Sequence, residues 1–319
     1  MKRKKRIAIS VGDLNGIGIA LALQNHAYIS QMIEPLYCID HLMLTQASQK
    51  LGCEIPKDFQ ILPTPLAPSF QIEAGAISAQ SGAYAYASFQ KAVQLAKEQK
   101  VEGIMTLPIH KKAWEKAGVN YKGHTDALRD FFQAPAIMML GSPKMYVALF
   151  SEHIPLKEVA STITKEGLLR FFYDFYHTAK PQKCVGVLGL NPHAGDGGVL
   201  GEEEKIISEA IDEINSLLSK EENQEACYFS QPLVPDVAFT PNMRQHFTHY
   251  IAMYHDQGLA PLKALYFDEG INVSLNLPIL RTSVDHGTAF DIAYKGIPLN
   301  SLSYTNAIAY LANTSSNNP

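Results

Sequence analysis

Short runs of aliphatic and β-branched residues alternate along this chain with longer stretches whose apolar positions recur at helical spacing. Arg6-Ile7-Ala8-Ile9-Ser10-Val11 predicts a first strand that ends at Gly12-Asp13. The segment 82–96 predicts a helix, because its larger apolar side chains return every three or four positions. A strand over 101–108 follows, and 185–190 predicts a buried one. Alternation of this kind makes an α/β fold, in which functional loops follow strand ends. No internal repeat is present. Pro63-Thr64-Pro65 with Pro68 predicts a loop, and 313–319 a frayed tail.

At 319 residues the chain exceeds one comfortable core, so two domains are expected. A hydrophobic share of 46% with 18% charged residues places it among ordinary globular enzymes and away from disordered tails. The net charge of -4 gives no footprint for a nucleic-acid partner. The basic run Lys2-Arg3-Lys4-Lys5-Arg6 is confined to the terminus, and the apolar stretch behind it stops at Asp13, too soon for a secretory signal. No apolar run approaches the length of a membrane span. Cys38, Cys53, Cys184 and Cys227 are far apart and form no Cys-x-x-Cys, which predicts free thiols in a reducing cytoplasm.

The densest chemistry lies in Met253-Tyr254-His255-Asp256-Gln257-Gly258-Leu259-Ala260-Pro261-Leu262-Lys263, followed by Asn272, Arg281 and Asp285-His286-Gly287-Thr288-Ala289. His153 in Ser151-Glu152-His153-Ile154-Pro155 and His193 in Asn191-Pro192-His193-Ala194-Gly195 also follow apolar runs. Three histidines at strand ends suit a metal site assembled from loops, with an open position for water or substrate. Each equally suits a strand cap or a core hydrogen bond, and their spacing matches no compact metal motif. Lys263 and Arg281 suit anion binding, Arg as a planar fork and Lys as a point charge. Their apolar neighbours argue against a fully solvated face. Gly16-Ile17-Gly18 lacks the third glycine of a dinucleotide fingerprint, so a plain strand-to-helix turn is expected there. The glycines of 195–201 run into Glu202-Glu203-Glu204, whose charge disfavours a phosphate and favours a loop that positions His193.

Six motifs in order carry a resemblance to a known family. They are Gly12-Asp13 with Gly16-Ile17-Gly18, Gly123-His124-Thr125-Asp126, His153-Ile154-Pro155-Leu156, Asn191-Pro192-His193-Ala194-Gly195-Asp196-Gly197-Gly198, Tyr254-His255-Asp256-Gln257-Gly258, and Arg281-Thr282-Ser283-Val284-Asp285-His286-Gly287-Thr288-Ala289. Over nearly its whole length the chain resembles the 4-hydroxythreonine-4-phosphate dehydrogenases of pyridoxal phosphate biosynthesis. That resemblance implies two α/β/α domains of the isocitrate and isopropylmalate dehydrogenase type, with the active site in the cleft between them. One domain would comprise 1–125 with 281–319, and the other 126–280. The segment from His286 to Gly296 looks like the adenosine-binding loop of that wider group.

The resemblance assigns a divalent metal (zinc, magnesium or cobalt) to His153, His193 and His255. It assigns a phosphorylated hydroxy-amino acid substrate to His124, Thr125, Lys263, Asn272 and Arg281. Asp256 and Lys263 become the candidate catalytic residues, Asp256 either steering an imidazole or relaying the alcohol proton. NAD or NADP would meet His286, Gly287, Thr288, Ala289 and Asp291, although Asp291 equally suits a helix cap. The family also implies a cytoplasmic homodimer with the metal site at or near its interface, for which 131–140 is a candidate element that equally suits plain core. Leu14-Asn15, Ile19-Ala20, His110 and Phe290 depart from the family pattern, which leaves room for another four-carbon phosphate such as threonate or erythronate 4-phosphate. A zinc hydrolase using the same histidines is the reading from a different class, and it has no use for the loop from His286 to Gly296.

Overall fold

The computed structural model describes residues 3–62 and 66–314, so Pro63-Thr64-Pro65 and the end of the expected tail lie outside the described residues. The strands are β1 (Lys5–Ser10), β2 (Ile33–Cys38), β3 (Gly103–Thr106), β4 (Ile137–Ser142), β5 (Met145–Leu149), β6 (Gly186–Val187), β7 (His249–Ala252), β8 (Ile271–Leu275) and β9 (Arg281–Val284). Helices intervene throughout, giving a mixed α/β fold. The chain divides into one unit of Met1–Ala136 with Ile271–Pro319 and another of Ile137–Gly270. The first unit takes in more than 1–125 and 281–319. Helix His124–Phe132 buries Ala127 and Leu128 in its core, and β8 pairs with β9.

In the first unit the strand order is β2-β1-β3-β9-β8, parallel except for the β8–β9 pair. Ile7, Ala8 and Ile9 of β1 are fully buried, as expected of a parallel strand covered on both faces. The expected helix is Ala79–Lys97, capped by the Ser78 side chain, which accepts from Ser81 N. Its buried stripe of Ala85, Phe89, Ala92 and Val93 joins Trp114, Ile104 and Leu128 in one core. Fully burying a side chain such as Phe89 contributes about 1.5–3 kcal/mol. The register pairs Ser10 with Thr106 and Thr106 with Ser283. These hydroxyls therefore share a row near the carboxyl ends of parallel strands, where α/β sheets place their ligands.

In the second unit the order is β4-β5-β7-β6, with β4–β5 an antiparallel hairpin and the rest parallel. Helices Lys165–Ala179 and Glu203–Glu221 pack through Leu168, Phe172 and Phe175 and through Ile207, Ile211 and Ile214. The strand expected over 185–190 forms a ladder only at Gly186–Val187, flanked by single bridges from Val185 to Phe229 and from Leu188 to Leu233. In the 131–140 stretch, residues 136–140 are buried, with Ile137–Leu140 in β4, whereas 131–135 are half-buried or exposed.

The cysteine expectation needs correction: Cys184 and Cys227 form a disulfide, while Cys38 and Cys53 are free. Pairing of Val185 with Phe229 brings the two half-cystines together across 43 residues of sequence. No helix among the described residues is long and apolar enough to cross a membrane.

Candidate active site

Arg281 opens β9 and is only 2% exposed. Its Nε and Nη2 donate to Thr106 Oγ1 at 3.1 and 2.6 Å, and its Nη1 donates to Ser274 Oγ at 3.2 Å. Burial lowers its pKa from the ordinary arginine range to about 9, so it stays cationic at neutral pH. Among the described residues it has no carboxylate partner. A buried guanidinium surrounded by neutral hydroxyls has an electrostatic deficit that an anionic ligand would fill.

His124, the first residue of helix His124–Phe132, lies buried beside this charge, and its Nε2 has no hydrogen-bond partner among the described residues. Burial, and then the charge of Arg281, hold its pKa well below 6.5. The ring is packed edge-on against Phe89 and Trp114, with centroids 4.8 and 5.3 Å away. Thr125 is buried next to it. Asn272 on β8 pairs with Ser283, two positions from the Ser274–Arg281 pair, and its Oδ1 is buried without a partner. Three sequence-predicted substrate residues thus carry unspent polar capacity. Thr106 and Ser274 were missed, and their only sequence signal is a lone hydroxyl near the end of an apolar strand.

The segment after β9 packs on the first glycine loop. Ile17 N donates to Thr288 O at 3.1 Å, and a Cβ on Gly16 would lie 2.7 Å from that same oxygen. Gly16 therefore serves a close approach of two loops, and Gly18 begins helix Gly18–Ile29. Asn15, one of the departures from the family pattern, ties in a third segment: its Nδ2 donates to Ala76 O at 2.8 Å and its Oδ1 accepts from Glu73 N at 2.9 Å. Phe290, another departure, stacks on His110 at 5.1 Å with an interplanar angle of 9°.

Within this loop Thr288 is buried, and the buried Nε2 of His286 has no partner among the described residues. No heavy atom would lie within 4 Å of a Cβ on Gly287, so its backbone is open to approach. The ring's Nδ1 lies 3.0 Å from Gly287 O, which leaves Nε2 beside open backbone, a setting that fits a ligand with polar edges such as a dinucleotide. Ala289 is held at φ 45°. Asp291 is exposed in a turn and caps no helix, since the next one begins at Leu302.

In the second unit His153, His193 and His255 stand in the loops after β5, β6 and β7, three parallel strands that end on the same edge. His153 adopts φ 52°, and His193 opens a left-handed run with φ of 53, 51, 77, 44 and 67° through Gly197. Such backbone costs about 1–3 kcal/mol at each non-glycine residue and persists only where surroundings enforce it. Here Asn191 N donates to Glu204 Oε1 at 2.7 Å, and its Nδ2 reaches Glu203 at 2.7 Å and Glu204 at 3.0 Å. The glutamates at the helix start therefore grip the His193 loop.

His255 begins helix His255–Tyr266, and its Nδ1 lies 2.7 Å from Asp256 Oδ1. His153 Nδ1 lies 3.6 Å from Glu152 Oε2, and the two imidazoles are 5.4 Å apart between centroids. A carboxylate at the Nδ1 of His255 leaves that ring's Nε2 for a metal, and the neighbouring His153 ring fits a second ligand of the same ion. His193 does not join it: no set of three His, Cys, Asp or Glu placed to hold a metal occurs among the described residues. Asp256 is largely exposed, and the Lys263 ammonium, on the same helix, lies 5.8 Å from the Phe267 ring.

The family model described as pyridoxal phosphate biosynthetic protein PdxA matches residues 20–311. The chain is 57% identical over 307 residues to the 4-hydroxythreonine-4-phosphate dehydrogenase of Sulfurimonas denitrificans, with 96% of each covered. It is 47% identical over 306 residues to that of Campylobacter fetus subsp. fetus, again with 96% of each covered. The crystal structure of a 4-hydroxythreonine-4-phosphate dehydrogenase from Burkholderia phymatum matches with a TM-score of 0.78 at 31% identity, covering 98% of both chains.

Proposed function

We propose, from the premise that this chain belongs to the PdxA family of pyridoxal phosphate biosynthetic proteins, that it is a metal-dependent, NAD- or NADP-linked dehydrogenase of 4-phosphooxy-L-threonine. The C3 alcohol is oxidised to give 2-amino-3-oxo-4-phosphooxybutanoate. That β-keto acid loses carbon dioxide to give 3-amino-2-oxopropyl phosphate, an intermediate toward pyridoxine 5'-phosphate. The observation that carries this reading is Arg281, buried and cationic and, among the described residues, without a carboxylate beside it, next to a His124 whose Nε2 is unspent there.

A bound divalent ion supplies Lewis acidity, and a bound nicotinamide supplies the hydride acceptor. The rest falls to the chain. Arg281 and Lys263 hold the anionic ends of the substrate, and His124, Thr125 and Asn272 add directional hydrogen bonds. His153 and His255 hold the ion, with Asp256 either steering the His255 ring or relaying the alcohol proton. His286, Gly287, Thr288, Ala289 and Asp291 receive the dinucleotide. The family resemblance and the prevalence of two-fold dimers support a homodimer with the metal site at or near its interface.

Reduced-nicotinamide formation with 4-phosphooxy-L-threonine, threonate 4-phosphate and erythronate 4-phosphate, each with zinc, magnesium or cobalt, tests the proposal. Preference for the first by at least about tenfold in kcat/KM is expected. Preference for either of the others identifies a paralogous dehydrogenase, and hydrolysis without any nicotinamide turnover identifies a zinc hydrolase.

A further inference from the structure

We propose that Thr106, together with Ser274, is a positioning residue that aims Arg281 at an anionic end of the substrate; this rests on the functional reading above. Arg281 has five N–H donors. The Thr106 oxygen takes one from Nε and one from Nη2, a two-point grip that fixes the guanidinium plane, and Ser274 takes one from Nη1. Two N–H groups remain, one on each terminal nitrogen, the number that a bidentate carboxylate or phosphate contact uses. Both gripping residues are buried at the ends of strands in the same sheet, Thr106 with 0% and Ser274 with 1% exposure, so the grip is built on rigid elements.

Neutral hydroxyls suit this task better than the usual carboxylate partner. An aspartate at position 106 would orient the guanidinium equally well but neutralise the charge that the ligand needs. Hydroxyl acceptors fix direction and leave the cation uncompensated.

The test compares Thr106→Val, which keeps shape and removes the oxygen, with Thr106→Ser, which keeps the oxygen, and with Ser274→Ala, in the complete enzyme. Steady-state kinetics are read beside equilibrium binding of 4-phosphooxy-L-threonine. Binding is followed by the fluorescence of Trp114, the chain's single tryptophan, which packs on His124. Thr106→Val should raise KM and weaken binding about tenfold while kcat changes less than about threefold, and Thr106→Ser should stay within about twofold of wild type. In an Arg281→Ala background Thr106→Val should weaken binding by less than about twofold further, because its effect runs through the arginine.

A full loss in that background, a failure of Thr106→Ser to rescue, or wild-type constants for Thr106→Val would overturn the proposal. If Thr106→Val does not fold, Ser274→Ala, which removes one acceptor, carries the same comparison. A wild-type enzyme that neither binds nor oxidises 4-phosphooxy-L-threonine defeats the functional reading, and this inference with it. An active wild type with an unaffected Thr106→Val defeats this inference alone.

Discussion

Replacing Arg281 by methionine should make the ligand-free protein more stable and abolish anion binding. The side chain is 2% exposed and held by three hydrogen bonds to neutral hydroxyls. Burial pushes its pKa down to about 9, and removing such a charge from water costs on the order of several kcal/mol. Because the folded value lies below the unfolded one, the charge opposes folding at pH below about 9, and the opposition fades as pH rises toward the ordinary arginine range. Methionine removes that penalty and fills similar length. It also leaves the Thr106 and Ser274 oxygens without their donors, at about 1 kcal/mol each. A net gain of about 1–3 kcal/mol is left, comparable to other replacements of buried charge by apolar side chains. For a unit of this size the melting temperature should rise by about 2–10 °C. Calorimetric melts with and without phosphate read both arms. Phosphate at about one hundred times its Kd should stabilise wild type by about 2.7 kcal/mol and leave Arg281→Met unchanged. A methionine variant that melts several degrees below wild type without phosphate would show that Arg281 is a structural residue, and the anion-site reasoning would fail.

Alanine at His153 or His255 should strip divalent metal from the purified protein, measured by elemental analysis; stoichiometric metal in the double variant contradicts the assignment. Gly16→Ala would place a Cβ 2.7 Å from Thr288 O. It should raise KM for NAD about tenfold while leaving KM for the phosphorylated substrate within about twofold; equal effects on both would show that the loop serves something other than the cofactor. Burial lowers the pKa of His249 from 6.5 to about 4, so its contribution is fully present above pH 6.5 and declines as the unfolded chain takes up the proton first on acidification. His249→Phe, which suits the stacking on Tyr146, should lose up to roughly 3 kcal/mol less stability than wild type between pH 7 and 4 in urea titrations. Parallel pH profiles would refute it.

Elements with a clear period were legible in the sequence. The helix Ala79–Lys97 and strand β1 follow from apolar spacing alone, and the histidine loops do follow strands. Properties set by partners distant in sequence were not. Thr106 and Ser274 meet Arg281 only because β3, β8 and β9 are neighbours, and nothing local to Thr106 marks it as an acceptor. The disulfide was hidden for the same reason, since a single β-bridge brings its cysteines together. Left-handed backbone at His153, His193 and Ala194 was also invisible, because it opposes the preference of those residues and is enforced from outside, at His193 by the Asn191 and Glu204 grip. Asp291 suited a helix cap as well as a cofactor contact, because the turn that follows it has no strong helix breaker before Gly296.

The most direct test is a stoichiometry. Wild-type enzyme with divalent metal, NAD or NADP and 4-phosphooxy-L-threonine should release carbon dioxide and form reduced nicotinamide in equal amounts, with 3-amino-2-oxopropyl phosphate as the remaining product. Absence of reduced nicotinamide under every combination of metal and cofactor would contradict the account.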